Sequence, residues 1–179
     1  MRVISGSAKG TVLFSPKGDS TRPTSDFVKE NLFNIIQNNL HDAVFLDLFA
    51  GTGAIGIEAL SRGAKHAVFV DASQKCISLI ERNLEKTRVR GRAALIKADA
   101  VTAVGKLKES KFDIVFLDPP YSKNLSQAAL HALVEYKLLA DDGCIVLETA
   151  KTEETPIIEG LGVFREKIYS GTKLVFYSY

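Results

Sequence analysis

Residues 44–56 have the sequence Val-Phe-Leu-Asp-Leu-Phe-Ala-Gly-Thr-Gly-Ala-Ile-Gly, an apolar run that closes on three glycines at Gly-x-Gly-x-x-Gly spacing. The apolar run predicts a buried strand at 44–49, and the glycines predict a tight turn into a helix at 54–62. Such a turn lets a ligand approach the backbone at the amino end of a helix. Taken alone, the spacing also fits a simple strand-to-helix connection.

The chain after this turn alternates between apolar strands and amphipathic helices. Further strands are predicted at 67–71, 93–98, 112–117 and 144–148, and further helices at 73–88, 101–108 and 125–136. This alternation predicts a doubly wound α/β domain, with a parallel sheet covered on both faces. Two last strand-like runs, 164–169 and 173–179, are joined by Ser-Gly-Thr and predict a terminal antiparallel hairpin. The expected sheet is therefore mostly parallel and seven-stranded.

The first 25 residues precede this pattern. Short β-prone runs at 3–4 and 11–14 predict a hairpin-like extension, and Arg22-Pro-Thr-Ser25 predicts the start of a helix that continues to about Asn39. We therefore divide the chain into an extension at 1–25 and a main domain at 26–179. The extension carries four basic residues against one acidic residue, which suits contact with nucleic acid or a solvated surface.

Composition places the chain among ordinary globular proteins. Of its 179 residues 46% are hydrophobic and 25% charged, and the formal net charge of +2 permits a nucleic-acid partner without requiring one. No run approaches the roughly 18 apolar residues of a membrane span, and no signal-peptide pattern opens the chain. We expect a cytoplasmic monomer. Cys76 and Cys144 lack metal-site or disulfide spacing, so no metal is expected and both are predicted to be small core residues.

Acidic residues follow four of the predicted strands, at the edge where open α/β sheets bind their ligands. They are Asp47, Asp71, Asp99 and Asp118, in strand order. Asp71 lies roughly twenty residues after the glycine turn, the position of the acid that binds ribose hydroxyls in nucleoside-binding folds, but it could instead cap the next helix. Asp99 is similarly open, because it either caps a helix or accepts a hydrogen bond from an adenine amino group.

Asp118-Pro-Pro-Tyr121 ends the fourth predicted strand. The two prolines remove two N–H donors and fix φ, which leaves backbone carbonyls and the Asp118 carboxylate as acceptors. An amino group presented there would meet acceptors only. Simple strand termination is the alternative, but a Pro-Pro stop requires neither the flanking acid nor the aromatic ring. Tyr121 could stack on a substrate base or lie in the core.

These motifs resemble those of known methyltransferases. Asp-Pro-Pro-Tyr after the fourth strand, with Asp-x-Phe-x-Gly-x-Gly after the first, is similar to the amino-group branch of the class I, Rossmann-like, S-adenosylmethionine-dependent methyltransferases. Within that branch, residues 1–6, 21–26, 32–35 and 47–62 together resemble the bacterial 16S ribosomal RNA guanine-N2 methyltransferases of the RsmD type. The resemblance covers nearly the whole chain, and its N-terminal part is the most specific.

The resemblance implies S-adenosylmethionine as cofactor and a guanine amino group of 16S ribosomal RNA, free or in the assembled small subunit, as substrate. It implies that residues 26–179 form the methyltransferase domain, with Asp118, Pro119 and Tyr121 as catalytic residues. The implied cofactor-binding residues are Asp47, Phe49, Gly51, Gly53, Asp71, Ala72, Asp99, Ala100 and Asp118. The implied RNA contacts are Arg2, Lys9, Arg22, Thr24 and Tyr121, of which Thr24 could equally cap the first helix.

Four other functions fit part of the pattern. DNA adenine-N6 and protein glutamine methyltransferases share both motifs, but usually need additional recognition sequence. A nicotinamide-dependent oxidoreductase would use the same glycine turn, and Asp118-Pro-Pro-Tyr121 argues against it. A non-catalytic RNA-binding module is disfavoured because four strand-end acids would repel phosphate.

Overall fold

The computed structural model of the chain describes residues 1–15, 26–120 and 123–179. Within these residues the chain forms one seven-stranded sheet and five α-helices. The strands are β1 (Val44–Asp47), β2 (His66–Asp71), β3 (Ala93–Lys97), β4 (Phe112–Leu117), β5 (Leu139–Ala150), β6 (Gly162–Ile168) and β7 (Thr172–Ser178). The helices are α1 (Asp26–Ile36), α2 (Ala54–Ser61), α3 (Gln74–Lys86), α4 (Ala100–Lys106) and α5 (Lys123–Glu135).

The strands lie in the order β3-β2-β1-β4-β5-β7-β6. The first five are parallel, and β7 runs antiparallel between β5 and β6. This order confirms the predicted doubly wound sheet and its terminal hairpin. The strand order reverses between β1 and β4, so the carboxyl ends of these two strands flank the crevice where such sheets bind ligands.

Side chains of the central strands alternate between two buried cores. On β4, Ile114 and Phe116 pack on the side of α1, α2 and α3, whereas Val115 and Leu117 pack on the side of α4 and α5. All four side chains are almost fully buried. A strand buried on both faces needs a continuous apolar run, and this is why the sequence predicts β4 with its observed bounds.

The fifth strand is longer than predicted. The prediction began it at Cys144, because the preceding Asp-Asp-Gly has the composition of a turn, whereas the structure begins it at Leu139. Its pairing with β4 shifts register between these two residues, which places a bulge there. A Cβ on Gly143 would lie 3.0 Å from two backbone carbonyl oxygens and 2.8 Å from a methyl carbon of Leu139, so a side chain here would be crowded.

The first 15 residues pack against the helical face. Arg2 and Val12 form an antiparallel bridge, and the Val3 N–H donates to the Thr11 carbonyl at 2.9 Å. These contacts bear out the hairpin-like arrangement predicted for 3–14. The predicted helix to Asn39 is α1 followed by one 3-10 turn. In the part of the chain that the structure describes, no helix is long and apolar enough to cross a membrane.

The two cysteines differ in burial. Cys144 is buried in β5, as predicted, but Cys76 is only partly buried, so its prediction as a core residue was wrong. Cys76 lies in the first turn of α3, where its backbone N–H donates to the side chain of Ser73. That turn is at the edge of the helical layer, which leaves the thiol in partial contact with solvent.

Candidate active site

The three glycines of the turn between β1 and α2 are needed for different structural reasons. Gly51 and Gly53 have φ values of +54° and +77°, in the left-handed region that favours glycine. A Cβ on Gly56 would lie 2.3 Å from the ring of Phe69, so this glycine lets α2 pack closely on β2. A Cβ on Gly51 would meet only one backbone oxygen, 4.0 Å away. The backbone at Gly51 therefore faces space that a ligand can enter.

Asp71 connects the end of β2 to this turn. Its Oδ2 accepts the backbone N–H of Gly51 at 2.9 Å, and its Oδ1 accepts the N–H of Ser73 at 2.8 Å. The N-cap of α3 is Ser73, whose hydroxyl accepts from Cys76, so Asp71 is not the cap. A carboxylate has about four acceptor positions, so both oxygens of Asp71 retain capacity for ligand hydroxyls. The next residue, Ala72, is exposed at the same edge.

Asp99 is the N-cap of α4. Its Oδ1 accepts the N–H of Thr102 at 2.9 Å, and this hydrogen bond lowers the pKa of the carboxyl below its usual value. Ala100 follows as the buried first residue of α4. The capping alternative is therefore observed, while the contact of Asp99 with an adenine stays a prediction. The two roles are compatible, because one oxygen satisfies the cap and the exposed carboxylate keeps another acceptor.

Asp47 is buried at the end of β1, with 2% of its surface exposed. Its Oδ2 accepts the N–H of Gly56 at 3.1 Å, inside the first turn of α2. Burial raises the pKa of Asp47 to about 7, opposed by the Gly56 hydrogen bond and reinforced by the charge of Asp71. Phe49 is half-buried just beyond. The observed contact of Asp47 is with a helix, and its cofactor contact stays a prediction.

Asp118 follows β4, across the point where the strand order reverses from the glycine turn. Its side chain reaches solvent at the carboxyl end of β4, between the neighbouring strands β1 and β5. Desolvation by the neighbouring protein, with the charges of Glu148 and Asp47, raises the pKa of Asp118 well above its usual value. Pro119 is half-buried beside it. Tyr121, the third predicted catalytic residue, lies outside the described residues.

The sequence prediction did not include Glu148. This residue lies near the end of β5, with 8% of its surface exposed, and its charge acts on Asp118. The sequence contained a signal for Glu148, because it is the last residue of the predicted strand 144–148, just as Asp118 directly follows the predicted strand 112–117. Together with Asp47 and Asp71, these side chains place carboxyl groups at four adjacent strand ends, and a nearby cation would favour their charged forms. Such an edge favours a positively charged ligand.

A buried glutamate on α2 fastens the N-terminal segment to the domain. The Glu58 carboxylate is fully buried and accepts the backbone N–H groups of Ile4 at 2.8 Å and Ser5 at 2.9 Å. The ammonium of Lys29 lies 3.4 Å from the same carboxylate, and its pKa is lowered because burial outweighs this attraction. The sequence prediction omitted Glu58, although a glutamate inside the otherwise apolar helix 54–61 indicates a buried polar partner.

Asn83 links this segment to the glycine turn. Its amide accepts from the N–H of Phe14 at 2.8 Å and donates to the Phe14 carbonyl at 3.1 Å. The same amide nitrogen donates to the carbonyl of Thr52, between the first two glycines, at 2.9 Å. One buried side chain on α3 thus holds both the segment and the turn, a role that the sequence prediction missed.

The predicted RNA contacts Arg2 and Lys9 lie together. They line a groove of about 240 Å³ with Asp26 and Glu30, and the Arg2 Nε is 3.7 Å from the Asp26 carboxylate. The acids in this groove offset the positive charge of the bases. The other two predicted contacts in the extension, Arg22 and Thr24, are outside the part of the chain that the structure describes.

The chain has relatives along its whole length. Residues 1–178 match the family model described as Conserved hypothetical protein 95. The chain belongs to this family, which includes ribosomal RNA small subunit methyltransferases D. The family member of that name from Haemophilus influenzae is 33% identical over 169 residues, covering 93% of this chain and 88% of its own. YlbH of Bacillus subtilis, provisionally assigned as an rRNA methyltransferase, is 42% identical and covers 99% of this chain and 98% of its own.

Solved structures share the fold. The Escherichia coli protein yhhF, provisionally assigned as a methyltransferase, superposes with a TM-score of 0.89 at 32% identity, covering 99% of this chain and 96% of its own. A more distant structure, SMU.776 in complex with SAH, has a TM-score of 0.65 at 16% identity and covers 82% of this chain and 49% of its own. The latter similarity shows the fold alone.

Proposed function

We propose that this chain transfers a methyl group from S-adenosylmethionine to the exocyclic N2 amino group of a guanine in 16S ribosomal RNA. The observation that carries the proposal is the position of Asp118 and Pro119. They form an acceptor-rich strand end beside the glycine turn, across the reversal of the strand order. Membership of a family that includes ribosomal RNA methyltransferases supports RNA as the substrate.

The site fits S-adenosylmethionine. Gly51 leaves open space beside its backbone, and Asp71 has free acceptor positions for two ribose hydroxyls. Asp99, with Ala72 and Ala100, would contact the adenine side. The remaining predicted ligands, at the end of β1, are Asp47, Phe49 and Gly53. The negative strand ends favour a cationic ligand, and S-adenosylmethionine supplies an electrophilic methyl group carried on a positively charged sulfur.

Asp118 and the Pro119 carbonyl would orient the base. A guanine amine is a weak nucleophile because its lone pair is conjugated with the ring. Two acceptors that bind its hydrogens would turn the lone pair toward the methyl group. The Asp118 carboxylate also stabilises the positive charge that develops on nitrogen. Since its pKa is raised, Asp118 is a better proton acceptor than an ordinary carboxylate and can take the proton that the amine releases.

The base must leave its stack to reach Asp118, and Tyr121 would stack on it. In this proposal residues 1–25 guide the RNA through Arg2, Lys9, Arg22 and Thr24, and residues 26–179 perform the transfer. The substrate is the free RNA or the assembled small subunit, and the enzyme works as a cytoplasmic monomer.

Two measurements test the proposal. Calorimetry of S-adenosylmethionine against NAD separates methyl transfer from hydride transfer, and we expect binding of the first only. The protein is then incubated with labelled S-adenosylmethionine and unmethylated 16S ribosomal RNA or small subunits, and digested nucleosides are identified by mass spectrometry. N2-methylguanosine supports the proposal. Label in DNA adenine or in protein, or none in any substrate, contradicts it.

A further inference from the structure

Two cations on α3 converge on one aromatic ring of the N-terminal segment. The Arg82 guanidinium carbon lies 4.4 Å from the Phe14 ring centroid, and the Lys86 ammonium lies 4.2 Å from it. Both cations are exposed, and the ring itself is 39% exposed. We call these three residues the α3 cationic patch. For both side chains, the contact that the structure shows is a cation–π attraction to the Phe14 ring.

The acids near this patch do not neutralise it. Glu81, beside Arg82 in sequence, is bound by Arg90, with 2.7 Å between Nε and Oε1. Among the residues that the structure describes, neither Arg82 nor Lys86 has a carboxylate oxygen within 4.0 Å, although Glu85 lies between them in sequence. Like charges spaced four residues apart on a helix repel each other. The patch thus holds two cations whose repulsion a bound anion would relieve.

The surrounding chain is also basic. Residues 74–92, which include α3 and the turn after it, contain six basic residues against two acidic ones. In the groove of Arg2 and Lys9, by contrast, two acids line the same surface. Charge complementarity to a polyanion is therefore greater at α3 than at the groove.

The patch is held in place next to the candidate active site. Asn83, which follows Arg82 in sequence and is buried beneath the helix surface, hydrogen-bonds both backbone polar groups of Phe14. The same side chain donates to Thr52 in the glycine turn. A strand of RNA that reaches the active site can therefore touch this surface, and the fixed ring limits the motion of both cations before binding.

We propose that the α3 cationic patch binds the phosphodiester backbone of the RNA substrate and so extends the RNA surface from the N-terminal segment onto the first part of the Rossmann-like domain. The proposal rests on the proposed function, since it concerns the same substrate. Arg82 and Lys86 each bind one phosphate, and Phe14 positions them. The contact is independent of base sequence, because phosphate contacts position RNA without distinguishing bases.

The test compares two double variants of the full chain. Arg82→Gln with Lys86→Gln removes both charges from the patch. Lys106→Gln with Lys108→Gln removes two exposed charges in and just after α4, which packs on the opposite face of the sheet. Binding of an in vitro 16S ribosomal RNA transcript is measured over a series of salt concentrations. Thermal melting of each variant checks that the fold is intact.

We expect the α3 variant to bind on the order of tenfold more weakly at low salt, and its plot of log affinity against log salt to lose about 0.7 to 0.9 of slope per removed cation. The α4 variant keeps the wild-type affinity and slope. Affinity for S-adenosylmethionine and turnover at saturating RNA stay unchanged in both, because neither pair contacts the reacting groups.

If the folded α3 variant keeps the wild-type affinity and slope, the α3 cationic patch does not bind RNA, and the proposed function is unaffected. Equal losses in the α3 and α4 variants also overturn it, since they would reflect overall charge. If the wild-type protein neither binds nor methylates RNA, both the proposed function and the RNA contact of the patch are contradicted. Phe14→Leu provides a further arm, because it keeps both charges but removes the ring. A smaller loss of affinity with unchanged salt slope supports the positioning role of Phe14, and unchanged affinity contradicts that role.

Discussion

The carboxylate of Asp71 is hydrogen-bonded to the backbone N–H of Gly51, with 2.9 Å between Oδ2 and nitrogen. This bond joins the end of β2 to the glycine turn that follows β1. The acid predicted to bind the ribose therefore also fixes the loop predicted to face the cofactor. Substitution of Asp71 should remove a ligand contact and loosen the turn at the same time.

Asp71→Ala should weaken S-adenosylmethionine binding by on the order of 2 kcal/mol, roughly thirtyfold, because charge-assisted hydrogen bonds to the ribose are lost. Calorimetric titration of S-adenosylmethionine into the folded wild type and the folded variant measures this loss of affinity. Ser73→Ala is the matched control, since it removes the cap of α3 and keeps the carboxylate. We expect that control to lower stability by about 1 kcal/mol and to leave affinity nearly unchanged. Wild-type affinity in folded Asp71→Ala would refute the ribose assignment.

The second prediction concerns the buried pair of Glu58 and Lys29. Glu58→Gln removes the nearer counter-charge of the buried Lys29 ammonium, which keeps Asp26 at 4.0 Å, and breaking such a buried pair costs about 3 to 5 kcal/mol. The free energy of unfolding in urea measures the loss. Glu81→Gln breaks the exposed pair with Arg90 and should cost about 1 kcal/mol or less.

Adding Lys29→Met to Glu58→Gln should recover part of that loss, because the buried charge is removed with its partner. Amide hydrogen exchange at Ile4 and Ser5 provides a local check, since both N–H groups donate to this carboxylate. If Glu58→Gln costs no more than Glu81→Gln and protects these amides as the wild type does, Glu58 does not anchor the segment.

The contacts of Glu58 and Asn83 show which features of the fold cannot be predicted from sequence patterns. The central strands are predictable because a parallel sheet buried on both faces demands apolar runs, and β4 has its predicted bounds. The strand-end acids are predictable because topology brings the carboxyl ends of parallel strands together. The partners of Glu58 and Asn83 in the N-terminal segment, Ile4 and Phe14, lie more than fifty residues away along the chain, so no local pattern shows these contacts.

Local pattern also left two alternatives for Asp99 and gave the wrong start for β5. Geometry shows that Asp99 caps α4, a short-range contact that its sequence position already allowed. The start of β5 depends on a bulge against β4, and a composition typical of a turn concealed the paired residues before it. In both cases the missing information is the neighbouring backbone, which the sequence alone does not supply.

The third prediction is a pH dependence of stability. The pKa of Asp47 is raised by burial to about 7 in the folded chain, from its ordinary value of 3.8. The protonated carboxyl is therefore favoured by folding, and its contribution is full below about pH 4 and is lost as pH rises toward 7. Asp47→Asn is neutral throughout and should become more stable than the wild type as pH rises, by up to about 4 kcal/mol.

Thermal and urea unfolding of the cofactor-free protein between pH 4 and 8 measures this difference. Asp141→Asn is the control, because it makes the same chemical change at an exposed position on the bulge of β5, away from the end of β1. If Asp47→Asn and the wild type give parallel profiles, the carboxyl does not titrate with a raised pKa.

Asp118→Ala should nearly abolish methyl transfer and change S-adenosylmethionine affinity only within a few fold. The carboxylate interacts more strongly with the positively charged nitrogen of the transition state than with the neutral planar amine, so its loss falls on turnover. The expected decrease is on the order of a hundredfold to a thousandfold in single-turnover rate at saturating RNA and cofactor.

Asp118→Asn keeps an acceptor oxygen without charge, so partial activity would favour orientation over charge. Because the pKa of Asp118 is raised, the wild-type rate should climb with pH as the carboxylate forms, and the Asn variant should lack that climb. Wild-type turnover in a folded Asp118→Ala protein, with Asp141→Ala as the matched surface control, would exclude Asp118 from the chemistry.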